Sequence, residues 1–227
     1  SAASDVYKRQ AYTCSAQPSL GGAMDMSPDL ILTFADRIGV FVFAVSGGIA
    51  AVRKDMDLFG VITLAFLPAV GGGTLRDLIL DVPVFWLQDT LSLWLAMAGG
   101  LAAFFFANVL EGFKPLRWAD AVGLALFAVT GAAKAADLGH DYLIILIMGV
   151  MTASAGGLIR DVVANRDPLL LKEDIYATAA LLGAIVFAAL IYFGVNESIA
   201  FAAGFVAAFL LRALAIIFKL SLPKARL

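Results

Sequence analysis

Two copies of one short motif place glycines next to a pair of opposite charges. Residues 72–77 and 156–161 both read Gly-Gly-x-x-Arg-Asp, and both lie inside apolar segments. Charged side chains in such segments are costly, so they usually pair with each other or face a water-filled cavity. The chemistry open to them is therefore the binding or passage of small ions. In the other interpretation, Arg76-Asp77 and Arg160-Asp161 lie in the membrane interface and only cap helices or snorkel.

The glycines form two runs, Gly71-Gly72-Gly73 and Gly156-Gly157. Glycine costs about 1 kcal/mol relative to alanine inside a helix, so each run is a weak point. One interpretation is a kinked helix whose freed carbonyls line an ion pathway, because backbone groups in a membrane must face water or protein. The other is close packing of helices through small residues. The repetition of the run beside the same two charges favours the pathway.

Two more aspartates, Asp36 and Asp120, occupy equivalent places 84 residues apart. Adjacent residues on a helix do not face each other, so Arg76 needs a partner on another helix. We expect it to pair with Asp161, Asp36 or Asp120. The predicted charge network consists of Arg76, Asp77, Arg160, Asp161, Asp36, Asp120 and Lys134.

Lys134 breaks this internal symmetry, because its counterpart is the apolar Ala50. A lysine about one turn from the end of a span can snorkel to the interface. It can equally face a pore, where it would compete with a permeating cation or gate it. Ser46 and Thr130 also occupy equivalent positions, and their hydroxyls can act as cation ligands or bond to carbonyls of their own helices.

These residues belong to a chain that is too apolar for a soluble domain. Apolar residues make up 62% of its 227 residues and charged ones only 15%, against about 25% charged in soluble domains. The surplus apolar surface must face something other than water, and lipid is the simplest candidate. About 20 helical residues cross a bilayer. Seven stretches of that kind are present, at residues 31–52, 58–80, 90–110, 119–137, 142–163, 175–195 and 198–219.

An internal repeat organises these seven spans. A shift of 84 residues superposes Asp36 on Asp120 and residues 69–77 on 153–161 without a gap. Each copy contains three spans, an odd number, so the second copy enters the membrane from the opposite face. The sequence therefore predicts an all-α membrane protein with seven transmembrane helices, as two inverted three-helix repeats plus a C-terminal helix. The predicted units are residues 28–113 and 114–196 for the repeats, 197–220 for the seventh helix and 221–227 for a basic tail.

Charge also predicts the orientation of the chain. Lysine and arginine concentrate on the face reached after spans 1, 3, 5 and 7, and such residues stay in the cytoplasm. The C-terminus is then cytoplasmic and the N-terminus outside. Residues 1–25 are polar and lack the apolar core of a signal peptide. We expect a disordered tail or a segment of cloning origin there, with Met24 or Met26 as the natural start.

Composition also limits the classes of function. The net charge of −2 leaves no basic surplus for binding nucleic acid. One cysteine, Cys14, and one histidine, His140, are too few for a zinc site or a Cys/His nucleophile, and no cofactor is expected. An enzyme has little support, although aspartate pairs such as Asp36 and Asp120 leave that class open.

Taken together, these residues resemble the trimeric intracellular cation channel (TRIC) family, specifically its prokaryotic members, which are related to bacterial glycine-rich membrane proteins with paired repeats. The resemblance covers residues 28–220 and rests on the spans, the inverted repeat, both glycine runs with their Arg-Asp sequels, and Lys134. It implies a homotrimer in the cell inner membrane, with a monovalent-cation path in each protomer lined by spans 1, 2, 4 and 5. It also implies kinks at the glycine runs and a gating role for Lys134.

The function that this resemblance implies is a channel permeable to potassium and also to sodium. The sequence contains no acidic ring or filter strand of the kind that a sharply selective pore uses, so we expect modest selectivity. Similar bacterial sequences are also described as glycine uptake proteins. A secondary transporter for a small zwitterion such as glycine is therefore the alternative.

Overall fold

Every regular element in the described part of the protein is an α-helix. The computed structural model describes residues 28–106, 115–172 and 175–220, and the predictions for residues 1–25 and 221–227 lie outside these ranges. The expectation of an all-α protein is confirmed. The helices are α1 (Pro28–Val52), α2 (Leu58–Ile79), α3 (Phe85–Gln88), α4 (Leu91–Phe105), α5 (Pro115–Asp137), α6 (Tyr142–Val163), α7 (Leu169–Lys172), α8 (Ala177–Tyr192) and α9 (Glu197–Phe218).

The second half of the chain repeats the helix bounds of the first. Helices α6 and α7 begin and end 84 residues after α2 and α3. The turns that follow α2 and α6 also match, since Asp81 and Asn165 both adopt left-handed backbone angles, with φ of 53° and 48°. Aspartate and asparagine suit these turns because their short polar side chains tolerate that conformation. Equivalent stretches of sequence therefore fold into equivalent local structures.

Five helices are long and apolar enough to cross a membrane, namely α1, α2, α5, α6 and α9. Helices α4 and α8 are apolar but shorter, with 15 and 16 residues. Large apolar side chains such as Phe59, Trp94 and Phe193 are 78%, 63% and 77% exposed, as expected on a surface that faces lipid. The prediction of a helical membrane protein is confirmed, and five of the seven predicted spans have the required length.

Helices α2 and α6 cross where two of the glycines lie. A Cβ atom added to Gly72 would collide with the carbonyl oxygen of Thr152, and one added to Gly156 would lie 2.5 Å from the carbonyl oxygen of Pro68. The later residue of α2 thus meets the earlier residue of α6, so the two helices run antiparallel. Only glycine lets the two backbones approach this closely.

The glycine runs do not break these helices. Helix α2 continues through Gly71-Gly72-Gly73, and α6 continues through Gly156-Gly157. Neither run interrupts its helix, and the packing interpretation accounts for Gly72 and Gly156; kinks at the two runs stay a prediction. The weak point of α2 lies instead at Pro68, inside the helix. Proline lacks a backbone N–H and disturbs the preceding turn of a helix.

Helices α1 and α5 form a second antiparallel pair. The ring of Phe43 in α1 stacks on that of Phe127 in α5, with centroids 5.2 Å apart. Gly39 faces Phe127, and Gly123 faces Phe43, so each ring lies against a glycine of the opposite helix. Helix α5 is the most buried of the five long helices. Helices α1, α2, α5 and α6 form the centre, while α9 packs against α8 and α5.

Candidate functional site

Buried charges collect at two places, one from each copy of the motif. The Arg76 cluster consists of Asp36, Arg76, Asp77 and Lys134. The Arg160 cluster consists of Ser46, Asp120, Arg160, Asp161 and Tyr176. Each cluster lies near the C-terminal end of its own helix, α2 or α6, and these helices are antiparallel. The two clusters therefore occupy opposite ends of the helix pair.

The guanidinium of Arg160 is fully buried and makes four hydrogen bonds. Its Nη1 donates to Asp120 Oδ1 at 2.7 Å and to Ser46 Oγ at 2.5 Å. Its Nε and Nη2 donate to the two carboxylate oxygens of Asp161, at 2.9 Å and 3.1 Å. Asp161 is held in turn by the backbone N–H of Leu169, which donates to its Oδ2 at 2.9 Å. Because Ser46 belongs to α1, this cluster joins the two halves of the chain.

Arg76 is equally buried but makes fewer contacts. Its Nε donates to Asp77 Oδ1 at 2.8 Å, while its Nη1 lies 3.7 Å from Asp36 Oδ1, beyond hydrogen-bond distance. Neither Nη atom has a hydrogen-bond partner among the residues that the structure describes. Lys134 Nζ lies 3.0 Å from Asp77 Oδ1. In this cluster, Lys134 of α5 makes the contact between the halves.

The prediction that Arg76 pairs with an aspartate of another helix is confirmed for Asp36 of α1, with which it forms an ion pair at 3.7 Å. Arg76 bonds its sequence neighbour Asp77, although adjacent helical residues do not normally face each other. The reason is that Asp77 lies in the last turn of α2 and is fixed by the backbone N–H of Phe85, which donates to Asp77 Oδ2 at 2.9 Å. Of the expected partners, Asp36 lies nearby, whereas Asp120 and Asp161 belong to the Arg160 cluster.

Lys134 points toward the buried carboxylate of Asp77, and only 32% of its side chain is exposed. This placement agrees with an inward-facing lysine rather than with one that snorkels. The hydroxyls of Ser46 and Thr130 differ in their partners. Ser46 accepts a hydrogen bond from Arg160, whereas the buried Thr130 Oγ1 has no hydrogen-bond partner in the described part of the chain.

Two residues of the site were missed in the sequence analysis. Tyr176 is buried, and its hydroxyl donates to Asp120 Oδ1 at 3.1 Å. Arg212 of α9 is also buried, and its guanidinium carbon lies 4.9 Å from the centre of the Tyr176 ring. An arginine in the middle of a predicted span is a signal that could have identified Arg212. No sequence pattern distinguishes Tyr176.

The two clusters differ in the arrangement of their charges. In the Arg76 cluster, Arg76 and Lys134 balance the carboxylates of Asp36 and Asp77. In the Arg160 cluster, one guanidinium bonds two carboxylates, and a second guanidinium, that of Arg212, lies over the Tyr176 ring. Carboxylate and hydroxyl oxygens are suitable ligands for hard cations. The carboxylates can therefore attract cations, while the neighbouring positive groups repel them.

Comparison with known proteins reveals relatives that share the repeat. The sequence profile of a family described as Glycine transporter matches residues 33–108 and again residues 117–192. A UPF0126 membrane protein of Vibrio cholerae is 41% identical over 207 residues, which cover 88% of this chain and 84% of that protein. The UPF0126 inner membrane protein YadS of Escherichia coli K12 is 40% identical over 200 residues, covering 86% and 96% of the two chains.

Solved structures share the fold. The TRIC trimeric intracellular cation channel orthologue from Rhodobacter sphaeroides superposes with a TM-score of 0.81 and 43% identity, covering 84% of this chain and 99% of that one. A prokaryotic TRIC channel crystallised in 0.5 M KCl superposes with a TM-score of 0.80 and 31% identity, over 86% and 100% of the two chains. The chain therefore belongs to the family described as Glycine transporter and, within it, to the prokaryotic TRIC proteins.

Proposed function

We propose that this protein is a monovalent-cation channel, permeable to potassium and sodium, with a path inside each protomer between the two halves of the chain. The observation that carries the proposal is the pair of buried charge clusters, each of which makes a polar contact between the halves. These contacts are Arg160 with Ser46, and Lys134 with Asp77. The relatives whose structures are solved are described as cation channels.

The physical argument starts from the cost of these charges. Ionised side chains buried among membrane-spanning helices are expensive and are associated with ion pathways. Arg76, Asp77, Arg160 and Asp161 are each at most 1% exposed. Helices α1, α2, α5 and α6 supply the charged and hydroxyl groups of both clusters, apart from Tyr176. A path along these four helices would lead a cation past Asp77 at one end and Asp120 at the other.

In this state, positive groups lie where a cation would pass between the halves. The Lys134 ammonium binds Asp77, and the Arg160 guanidinium binds both Asp120 and Ser46. Opening of the path would require these groups to move away from the carboxylates. We assign the gating role to Lys134 and Arg160, with Asp36, Arg76 and Asp161 as their supporting charge network. Ser46 and Thr130 would then offer hydroxyl ligands to the passing ion.

We also propose the inverted arrangement of residues 28–113 and 114–196, with residues 197–220 as the seventh span. The antiparallel pairs α1 with α5 and α2 with α6 support it, since each pair consists of equivalent helices from the two halves. Helices α4 and α8 would cross the membrane as shorter spans. A homotrimer in a prokaryotic inner membrane is proposed by analogy with the solved relatives.

Contacts between loops support the proposed topology. Lys54 Nζ donates to the Asn165 carbonyl at 3.3 Å, so the loop after α1 touches the loop after α6. Burial lowers the pKa of Arg166, and the positive charges of Arg53 and Arg117 act in the same direction. Basic residues after the first, third and fifth predicted spans thus lie near one another. We place this face in the cytoplasm, with the C-terminus on the same side and the N-terminus outside.

Recording from the purified full-length chain in planar lipid bilayers tests the function. Resolved unitary currents in symmetric potassium chloride are expected, and under a potassium chloride gradient the reversal potential should follow the cation gradient. Replacement of potassium by sodium should leave a current of the same order, because no selective filter is expected. Saturable glycine counterflow in proteoliposomes without unitary currents would instead establish a carrier and overturn the proposal.

A further inference from the structure

Helix α9 lies outside the repeat, yet one of its side chains reaches the Arg160 cluster. Arg212 is 1% exposed, and its Nη1 donates to the Ile175 carbonyl at 2.8 Å. This bond anchors the guanidinium to the backbone that leads into α8. The same guanidinium lies over the ring of Tyr176, at 4.9 Å from its centre. A cation over an aromatic face at this distance is an attractive contact.

Tyr176 carries this contact into the centre of the protein. Its hydroxyl lies against Gly157, where an added Cβ atom would collide with the phenol oxygen. The phenol O–H donates to Asp120 Oδ1, the same oxygen that accepts from Arg160 Nη1. A continuous series of contacts therefore runs from α9 through Arg212, Tyr176 and Asp120 to Arg160.

The sequence provides no equivalent of the Arg212–Tyr176 contacts for the Arg76 cluster. The counterpart of Tyr176 is Ser92, a short side chain, and α9 itself has no counterpart among the described residues of the first half. The Arg76 cluster instead receives an additional contact from Lys134, which lies on α5. The additional contacts of the two clusters thus come from different helices.

We propose that Arg212 and Tyr176 are positioning residues through which α9 sets how readily the Arg160 cluster opens. This inference rests on the proposed channel function and concerns its regulation. The phenol holds the Asp120 carboxylate in the orientation that binds Arg160, and Arg212 holds the phenol. If the Tyr176–Asp120 hydrogen bond or the Arg212–Tyr176 contact is lost, the contacts of Arg160 with Asp120 and Ser46, which join the halves, become easier to separate. The path itself, which these two residues do not form, would keep its conductance.

Single-channel recording separates these two properties. Tyr176→Phe removes only the hydroxyl, and we expect the closed-to-open equilibrium to shift toward open by about tenfold, as for loss of one hydrogen bond to a charged group. Unitary conductance should stay at the wild-type value. Arg212→Met should shift the open probability in the same direction. Because Arg212 acts through the phenol, Arg212→Met should add nothing when it is combined with Tyr176→Phe.

Two matched controls lie on the surface. Tyr192→Phe removes a phenol that is 66% exposed, and Arg53→Met removes an exposed positive charge. Both should leave the open probability unchanged. Arg212→Lys, which keeps the charge but loses the planar group, should fall between wild type and Arg212→Met and serves if Arg212→Met does not fold.

The outcomes that overturn the inference are distinct from failure of the channel proposal. If wild type gives no unitary current, the channel proposal fails and this inference fails with it. If wild type conducts but Tyr176→Phe has an unchanged open probability, only the inference fails. A reduced conductance at constant open probability, or additive effects of Tyr176→Phe and Arg212→Met, would also overturn it.

Discussion

The two halves of this protein carry the same motif, but the arginines of the two copies make different numbers of hydrogen bonds. In the second half, Arg160 makes four hydrogen bonds to Asp120, Asp161 and Ser46. In the first half, Arg76 makes one hydrogen bond and lies 3.7 Å from Asp36. Internal sequence symmetry thus does not produce two equal sites. The Arg160 guanidinium donates from all three of its nitrogens, whereas neither Nη atom of Arg76 has a hydrogen-bond partner among the described residues.

A second difference lies in α2 and α6 at the same level of the repeat. Thr152 Oγ1 donates to the Met148 carbonyl at 2.6 Å, one turn earlier in α6. Its counterpart in α2 is Pro68, which removes the N–H that would bond the Leu64 carbonyl. That carbonyl lies against Gly47, where an added Cβ would collide with it. The looser cluster therefore belongs to the half whose central helix has a missing hydrogen bond.

The largest effect expected from this comparison is on stability. Arg160→Met would leave the carboxylates of Asp120 and Asp161 buried without their positive partner, at a cost of about 3–5 kcal/mol of unfolding free energy. Arg76→Met should cost less, about 1–3 kcal/mol, because Asp77 keeps Lys134 and the Phe85 N–H. Thermal unfolding in detergent measures both.

The decisive result is which of the two variants loses more unfolding free energy. Failure of Arg160→Met to fold, while Arg76→Met folds, agrees with the comparison. Equal losses for the two arginines, or a greater loss for Arg76→Met, would show that the contact geometry of the two clusters does not control stability. Arg160→Lys keeps the charge and should recover part of the loss, though it lacks the planar fork that binds Asp161 twice.

An intermediate effect is expected at the crossing of α2 and α6. In Gly72→Ala, the new methyl group would meet the Thr152 carbonyl, which belongs to the backbone and cannot rotate away. We expect a loss of about 1–3 kcal/mol in unfolding free energy. Gly71→Ala is the matched control, because its methyl would meet only the end of the Ile159 side chain, at 2.9 Å. If both variants unfold at the same temperature, the glycine run is not needed for close packing.

The smallest effect on stability is expected for Lys134→Ala, which places at Lys134 the residue found at its counterpart Ala50. Lys134 is partly exposed, and Asp77 retains Arg76, so the loss should be about 1 kcal/mol. The single-channel potassium current should change more clearly than the stability does. Removal of the positive charge leaves the Arg76 cluster negative, so potassium conductance should rise. Lys134→Arg should not show this rise, and an unchanged amplitude in Lys134→Ala would remove Lys134 from the path.

Much of the site could be predicted because intramembrane charges are rare and easily recognised. Arg76, Asp77, Arg160 and Asp161 were identified from their spacing, and all four are buried in charge clusters. Their division into two clusters agrees with the predicted inversion of the repeats, but the partners within each cluster could not be predicted, since these depend on how the helices pack. Tyr176 could not be found either, because a tyrosine near the end of a span is ordinarily an interfacial residue.

The membrane setting, the internal repeat and the positions of the buried charges can all be read from the amino-acid sequence. Composition, hydropathy and spacing are properties of the chain, and the cost of unpaired groups in lipid leaves few alternatives to helices. The packing roles of Gly72 and Gly156, the bond from Arg76 to Asp77, and the route from α9 to Asp120 through Tyr176 became visible only once the helices were packed. These outcomes depend on differences of about 1 Å between helices, which decide whether a side chain reaches one partner or another.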